Sequence, residues 1–151
     1  MKGIAKLLSS SLGLGYIPGA PGTYGAIFGS GVYALLHFYG GFPMEYYLIP
    51  GIVVFTMLGI YFCGILEEEW GHDPSKVVLD ETIGQWIVYL FVPFSWMNLV
   101  IGLILFRIFD IWKPLGIRKI DQLDHPASVM LDDVLAGVYG WIVLQVIIYF
   151  I

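Results

Sequence analysis

Residues 82–109 read TIGQWIVYLFVPFSWMNLVIGLILFRIF, an apolar stretch too long for one membrane span and interrupted by Pro93, Ser95 and Asn98. One kinked helix would hold the two ends of this stretch on opposite faces of a membrane, ~40 Å apart at ~1.5 Å per residue. A hairpin that turns near residues 92–98 would return both ends to the same face. The charges that flank the stretch distinguish these two arrangements.

Lysine and arginine accumulate in the cytoplasmic loops of membrane proteins. With a hairpin, all seven basic residues fall on one side, and the opposite loop, residues 40–45, and the C-terminus carry none. The seven are Lys2, Lys6, Lys76, Arg107, Lys113, Arg118 and Lys119. A single kinked span would put the last four of them outside, against the usual bias. The charges therefore predict a hairpin of two helices of ~12 residues each, which need not cross the whole hydrocarbon core, with both ends on the cytoplasmic side.

The composition places the chain in lipid, since 58% of its 151 residues are hydrophobic and 13% are charged, far from the balance of a soluble domain. Residues 25–39, 46–66 and 134–151 are apolar enough to be predicted as spans, the first of them marginal in length. We therefore predict an all-α integral membrane protein, a small helical bundle of about three full spans plus the short hairpin at 82–109. The length suits a single membrane-embedded domain over residues 1–151.

Charge and cysteine content exclude several functions. The net charge of −5 argues against a nucleic-acid partner, because phosphate backbones are bound by basic patches. Cys63, the only cysteine, lies inside an apolar run, so neither a disulfide framework nor a paired-thiol metal site is expected. No secretory signal stands out in residues 1–14, and we expect the protein to start at Met1. Protein partners cannot be derived from these features.

Two acidic pairs stand where apolar helices are predicted to begin. Asp80 and Glu81 form the first pair, Asp132 and Asp133 form the second, and a glycine follows each pair one turn later. Acids at a helix N-terminus can simply complement the helix dipole. A small residue such as Gly84, however, lets another helix approach closely.

With Asp110, the two pairs form a candidate cage for a divalent cation. The hairpin delivers all five carboxylates to one face of the membrane. Carboxylate oxygens suit magnesium, calcium or manganese, whereas zinc prefers histidine or cysteine ligands. The three histidines are scattered along the chain. The acids therefore predict a site for a hard cation.

Two further segments carry groups suited to phosphate. Residues 13–25 are rich in glycine and proline and precede a predicted helix, so backbone N–H groups and the hydroxyl of Thr23 can bind an anion there, unless the loop is only a turn at the membrane surface. Arg107, Asp110 and Lys113 are spaced at i, i+3 and i+6, which presents cation, anion and cation along one helix face. This row is either a structural ion-pair ladder or part of a site.

Taken together, four segments resemble the phosphatidylglycerophosphatase A family. They are Ala20-Pro21-Gly22-Thr23, Asp80-Glu81-Thr82-Ile83-Gly84, Phe109-Asp110-Ile111-Trp112-Lys113-Pro114 and Asp132-Asp133-Val134-Leu135-Ala136-Gly137. The likeness extends over residues 13–140. One departure is visible, since the family often has a second proline where this chain has Leu115.

The resemblance implies a magnesium-dependent phosphatase that converts phosphatidylglycerophosphate to phosphatidylglycerol in the bacterial inner membrane, with a multi-pass fold and an active site facing the cytoplasm. The five acids of the cage are the expected Mg²⁺ ligands. The expected catalytic residues are Asp80, Glu81, Asp110 and Asp133. The groups expected to bind the substrate phosphate are Gly22, Thr23, Arg107, Lys113 and Arg118. The expected partner is a phospholipid held in the bilayer.

Two other function classes stay open. A phospholipid-transferring enzyme also uses aspartates and magnesium at the cytoplasmic face, but its longer aspartate and glycine run on two successive helices is absent. A small transporter or membrane scaffold would line a path through the bilayer with acids. Residues 25–66 and 134–151 contain no carboxylate except Glu45, which disfavours a transporter.

Overall fold

The computed structural model describes all 151 residues, Met1–Ile151, as an all-helical chain. The seven helices are α1 (Lys2–Ser9), α2 (Pro21–Tyr39), α3 (Glu45–Trp70), α4 (Leu79–Val88), α5 (Trp96–Trp112), α6 (Ile117–Asp121) and α7 (Ser128–Phe150). A single 3-10 turn, Leu14–Tyr16, lies between α1 and α2. The predicted all-α class is confirmed.

The stretch at 82–109 is not one helix. Helix α4 ends at Val88 and α5 begins at Trp96, where the Ser95 hydroxyl accepts a hydrogen bond from the backbone N–H of Asn98 at 3.0 Å. With 17 residues, α5 is longer than the ~12 predicted, because no helix breaker occurs before Pro114. The first turn of α4 and the last turn of α5 lie at the same cavity.

Side chains of other helices satisfy the backbone carbonyls of the turn between α4 and α5. The Tyr33 hydroxyl of α2 donates to the Val92 carbonyl at 3.0 Å. The Trp141 indole N–H of α7 donates to the Leu90 carbonyl at 2.7 Å, and the Gln145 amide donates to the Phe91 carbonyl at 3.5 Å. Irregular backbone inside an apolar bundle requires such partners, because no water is there to replace them.

Two helices, α3 and α7, are long and apolar enough to cross a membrane by length and composition, with mean hydropathies of 2.2 and 1.7 over their most apolar windows. Helix α2 has 19 residues but is not one of the helices that are apolar enough to cross a membrane by this measure. The predicted number of three full spans is therefore not confirmed. Large apolar side chains such as Val53 and Met57 of α3 are exposed, as expected of a helix that faces lipid.

Helix α4 is the centre of the bundle and contacts α2, α3, α5 and α7. All of its residues except Glu81 are buried. Helix α2 packs against it through glycines, since a Cβ on Gly25 would lie 2.6 Å from the Val78 carbonyl oxygen and one on Gly29 would lie 2.8 Å from that of Thr82. The Thr82 hydroxyl donates to the Gly25 carbonyl at 3.1 Å. This close packing holds the N-terminus of α2 beside the start of α4.

Candidate active site

Helices α4 and α7 cross at two glycines. A Cβ on Gly137 would lie 2.5 Å from the Gly84 carbonyl oxygen, and one on Gly84 would lie 2.7 Å from the Asp133 carbonyl oxygen. The prediction that Gly84 permits a close helix approach is confirmed. Because Asp80 and Asp133 each lie one turn before the crossing, the contact brings their side chains together.

The carboxylates of Asp80, Glu81 and Asp133 form a cluster, the acidic trio. One oxygen of each lies within 4.8 Å of the others. Asp80 is 8% exposed and Asp133 is 3% exposed, yet Asp80 Oδ1 and Glu81 Oε2 are buried without any hydrogen-bond partner. Burial, and then the neighbouring Glu81 carboxylate, raises the pKa of Asp80 well above its ordinary value. The trio therefore has acceptor oxygens to spare for a cation.

The other two acids of the predicted cage already hold cationic side chains. Asp110 pairs with Arg107 on α5. Asp132 accepts a hydrogen bond from Lys113 Nζ at 2.8 Å through Oδ2 and one from the backbone N–H of Asp133 at 3.0 Å through Oδ1. Both oxygens of Asp132 are thus occupied. Two of the five acids, Asp110 and Asp132, thus hold cationic side chains beside the trio, although Asp110 engages its cation through Oδ2 alone.

Lys113 follows the end of α5, where its backbone adopts φ +50° and terminates the helix. Besides Asp132, its ammonium group contacts the Asp121 carboxylate of α6. Although burial acts to lower it, these two hydrogen bonds raise the pKa of Lys113 above its ordinary value. Lys113 is therefore a fixed positive charge at the edge of the acidic trio.

A cavity of about 230 Å³ contains these groups. Its lining is Asp73, Pro74, Ser75, Val77, Asp80, Glu81, Asp110, Lys113, Asp132 and Asp133. The predicted cage is thus assembled in one place. Asp73 and Ser75 were not predicted as site residues, although the Asp73-Pro74 turn directly before α4 was a visible signal.

The first turn of α2 lies against Glu81 and Arg107. A Cβ on Gly22 would meet Glu81 Oε1 and lie 3.0 Å from Arg107 Nη1, so a larger residue there would have to displace these two side chains. The N–H groups of Gly22 and Thr23 lie in the first turn, where an α-helix provides no carbonyl to accept them. These two predicted phosphate-binding residues are therefore beside the acidic site, at a helix N-terminus that favours anions.

A second cavity adjoins the same arginine. This α2–α5 groove has a volume of about 540 Å³ and is open along one side of α5. Its lining is Thr23, Leu103, Ile104, Arg107, Ile108, Ile111 and Trp112. Arg107 and Thr23 are its polar residues, and the remainder is apolar.

Arg118 is not brought to the acidic cavity. It lies on α6, and its guanidinium donates to the Trp112 carbonyl at 3.2 Å. With Lys113 and Lys119 it lines a separate surface cavity of about 380 Å³. Of the five predicted phosphate-binding residues, Arg118 is the one that contacts none of the acids, because its guanidinium is bonded to the Trp112 carbonyl, although Asp121 of the same helix contacts Lys113.

Residues 7–148 match the family model described as phosphatidylglycerophosphatase A. A Bacteroides thetaiotaomicron protein provisionally named phosphatidylinositol-3-phosphatase is 45% identical over 144 residues, 93% of this chain and 91% of that protein. Phosphatidylglycerophosphatase A of Haemophilus influenzae is 38% identical, covering 95% of this chain and 88% of the relative. Phosphatidylglycerophosphatase A of Escherichia coli is 34% identical, covering 87% and 76%. No solved structure matches the chain. The chain therefore belongs to the phosphatidylglycerophosphatase A family of lipid phosphatases.

Proposed function

We propose that this protein hydrolyses phosphatidylglycerophosphate to phosphatidylglycerol and inorganic phosphate in a magnesium-dependent reaction. The observation that carries the proposal is the acidic trio with two unpartnered buried oxygens, with Lys113 lining the same cavity and Arg107 paired with Asp110 next to Glu81. A hard cation and two fixed positive charges are what a phosphomonoester requires. The two relatives named phosphatidylglycerophosphatase A support the choice of substrate.

The trio fits Mg²⁺ because it offers only carboxylate oxygens, the ligands that this ion prefers. Asp80, Glu81 and Asp133 would hold the ion, while Asp110 and Asp132 act through the cations that they bind. When bound, Mg²⁺ neutralises charge on the phosphate and on the leaving oxygen. This division refines the expectation that all five acids are ligands.

The remaining residues bind and orient the phosphate. Arg107 offers a planar fork of donors, and Lys113 offers a point charge. The first-turn N–H groups of Gly22 and Thr23 complete the anion site. A trio carboxylate orients the attacking water and accepts its proton as the water oxygen bonds to phosphorus. The phosphorus–oxygen bond to the headgroup breaks, and the carboxyl group returns the proton to the leaving oxygen.

We place the site at the cytoplasmic face of a bacterial inner membrane. The seven basic residues all flank the ends of helices on the side of the acidic cavity, as the positive-inside bias requires. The bacterial relatives and the two apolar helices support this location. A substrate anchored in the bilayer presents its headgroup at that surface.

A second candidate substrate is phosphatidylinositol-3-phosphate. It is favoured by the 45% identity to the Bacteroides relative, whose name gives that activity. Both lipids carry a phosphomonoester on a polyol headgroup, and the trio with Arg107 and Lys113 recognises that group in either of them. The headgroup beyond the phosphate decides between them, which an assay can measure directly.

The test is phosphate release by the purified protein from each of the two lipids in detergent micelles. We expect release from phosphatidylglycerophosphate, loss of release in EDTA and recovery with Mg²⁺. Mg²⁺ should also raise the thermal unfolding temperature, because it binds only the folded state. Release only from phosphatidylinositol-3-phosphate would replace the proposed substrate. No phosphate release from either lipid with Mg²⁺ would contradict hydrolysis and leave phospholipid transfer.

The two arginines provide a matched pair of variants. R107Q should lower kcat/KM about 10–100-fold, because a charged hydrogen bond of ~1.5–3 kcal/mol is lost. R118Q should retain activity within about twofold, since Arg118 lies outside the acidic cavity. Steady-state kinetics on the same lipid measure both. An equal loss in R118Q would mean that α6 moves to the site when substrate binds.

A further inference from the structure

The α2–α5 groove shares Arg107 with the catalytic site. On the inner side of α5, this arginine pairs with Asp110 and lies next to Gly22 and Glu81. On the outer side it lines the groove, together with Thr23. Its Nε is buried and has no hydrogen-bond partner. Arg107 therefore contacts an acid of the site and also lines the apolar groove.

The rest of the groove follows one face of α5. Ile104, Ile108 and Trp112 are spaced four residues apart, so their side chains form a row ~12 Å long at ~1.5 Å per residue. All three are exposed. Arg107 is half-buried and lies between Ile104 and Ile108 in this row, so Leu103 and Ile104 lie next to it on the side of the α4–α5 turn. These two side chains can contact acyl chains of a phospholipid whose phosphate lies at the arginine.

No other apolar cavity is placed to serve the site. The cavity lined by Val32, Leu36 and Tyr47 lies at the C-terminal end of α2, beside Gly40. Tyr39 lies 17 residues after Gly22 in α2, which separates that end from Gly22 by ~26 Å at ~1.5 Å per residue. A third cavity, lined by Glu45 and Ile49, lies at the start of α3, at the same far end. Among these mainly apolar cavities, only the α2–α5 groove is lined by a residue that contacts the acids of the site, Arg107.

We infer that the α2–α5 groove is the acyl-chain subsite through which the lipid substrate enters from the bilayer. The inference rests on the proposed function and adds the side of the bundle from which the substrate approaches. The chains lie along α5, and the terminal phosphate reaches Arg107 and the trio. The occupant is the diacylglycerol part of an anionic phospholipid.

The test compares I104W with V54W. The two residues are similarly exposed, 53% and 51%, but Ile104 lines the groove and Val54 lies on α3, away from it. We expect I104W to raise KM for dipalmitoyl phosphatidylglycerophosphate about tenfold with little change in kcat, because the indole displaces about two methylene groups of the chain. V54W should behave as the unmodified protein does.

The same lipid with two hexanoyl chains gives a second measurement. Short chains fill little of the groove, so the effect of I104W should shrink to about twofold or less. Equal kinetics of I104W and V54W, while the unmodified protein is active, would overturn the subsite. So would an equal loss on the long-chain and short-chain lipids. Inactivity of the unmodified protein would instead refute the proposed substrate, which keeps the two failures distinguishable.

Discussion

Replacing Asp80 with asparagine is expected to lower kcat/KM at least about 100-fold, since altering a group that only supports a metal ligand already costs about 10–100-fold. Phosphate release from phosphatidylglycerophosphate measures the loss. D80N should also lose the rise in unfolding temperature that Mg²⁺ gives. The two readouts together report on the acidic trio rather than on the fold alone.

D80N should fold at least as well as the unmodified protein in the absence of Mg²⁺. Burial and the Glu81 carboxylate raise the pKa of Asp80 above its value in the unfolded chain. Ionisation therefore costs folding free energy as the pH rises above the unfolded-state pKa, and asparagine does not ionise. Thermal unfolding at neutral pH without Mg²⁺ tests this, and a large fall in unfolding temperature would contradict it.

Variants of three further acids test which carboxylates bind Mg²⁺. D133N should behave as D80N does, because Asp133 belongs to the trio. D132N should slow the reaction but keep the thermal response to Mg²⁺, since Asp132 holds Lys113 and has no free oxygen. E68Q, at an exposed acid of α3, is the matched control and should change neither readout. Near-normal rates in both D80N and D133N would refute the proposed metal site.

Replacing Gly137 with alanine is expected to destabilise the protein by about 1–3 kcal/mol, the cost of overpacking a close contact. The added methyl group would meet the Gly84 backbone at 2.5 Å, and a backbone cannot rotate away as a side chain can. Helices α4 and α7 must then separate, which spreads the trio. We therefore expect a lower thermal unfolding temperature and reduced phosphate release.

G31A is the matched control, because a Cβ on Gly31 meets nothing within 4 Å. Removing a helical glycine there should be neutral or stabilise α2 by up to ~1 kcal/mol. Similar unfolding temperatures for G137A and G31A would show that the α4–α7 crossing tolerates expansion. If G137A is less stable but fully active, then the α4–α7 crossing contributes to stability and does not determine the geometry of the trio.

Much of the site could be predicted from sequence because its parts are local patterns. Pro93, Ser95 and Asn98 identify the break between α4 and α5, and that break brings Asp80 and Asp110 to one cavity. The motifs therefore lie together because the chain reverses direction between α4 and α5, the arrangement that the distribution of positive charges already favoured. The ends of the helices were predicted less accurately, since α7 begins at Ser128 and the span was predicted to begin at Val134.

The division of labour among the acids could not be predicted. Asp132 and Asp133 are adjacent in sequence, yet one is bonded to Lys113 and the other lies in the trio. Adjacent residues of a helix point ~100° apart, so their partners depend on which helices pack on each side. Arg118 illustrates the same limit, because its distance from the trio depends on the course of the chain after Pro114.

The turn between α4 and α5 has a consequence for biosynthesis. Its Leu90 and Phe91 carbonyls accept hydrogen bonds from Trp141 and Gln145 near the end of the chain. Before α7 has been synthesised, these carbonyls have no such partners, and lipid offers no donors in their place. We therefore expect that in a chain truncated before Trp141 the only side chain of another helix bonded to this turn is Tyr33 of α2, and that the hairpin packs fully only after α7 is added.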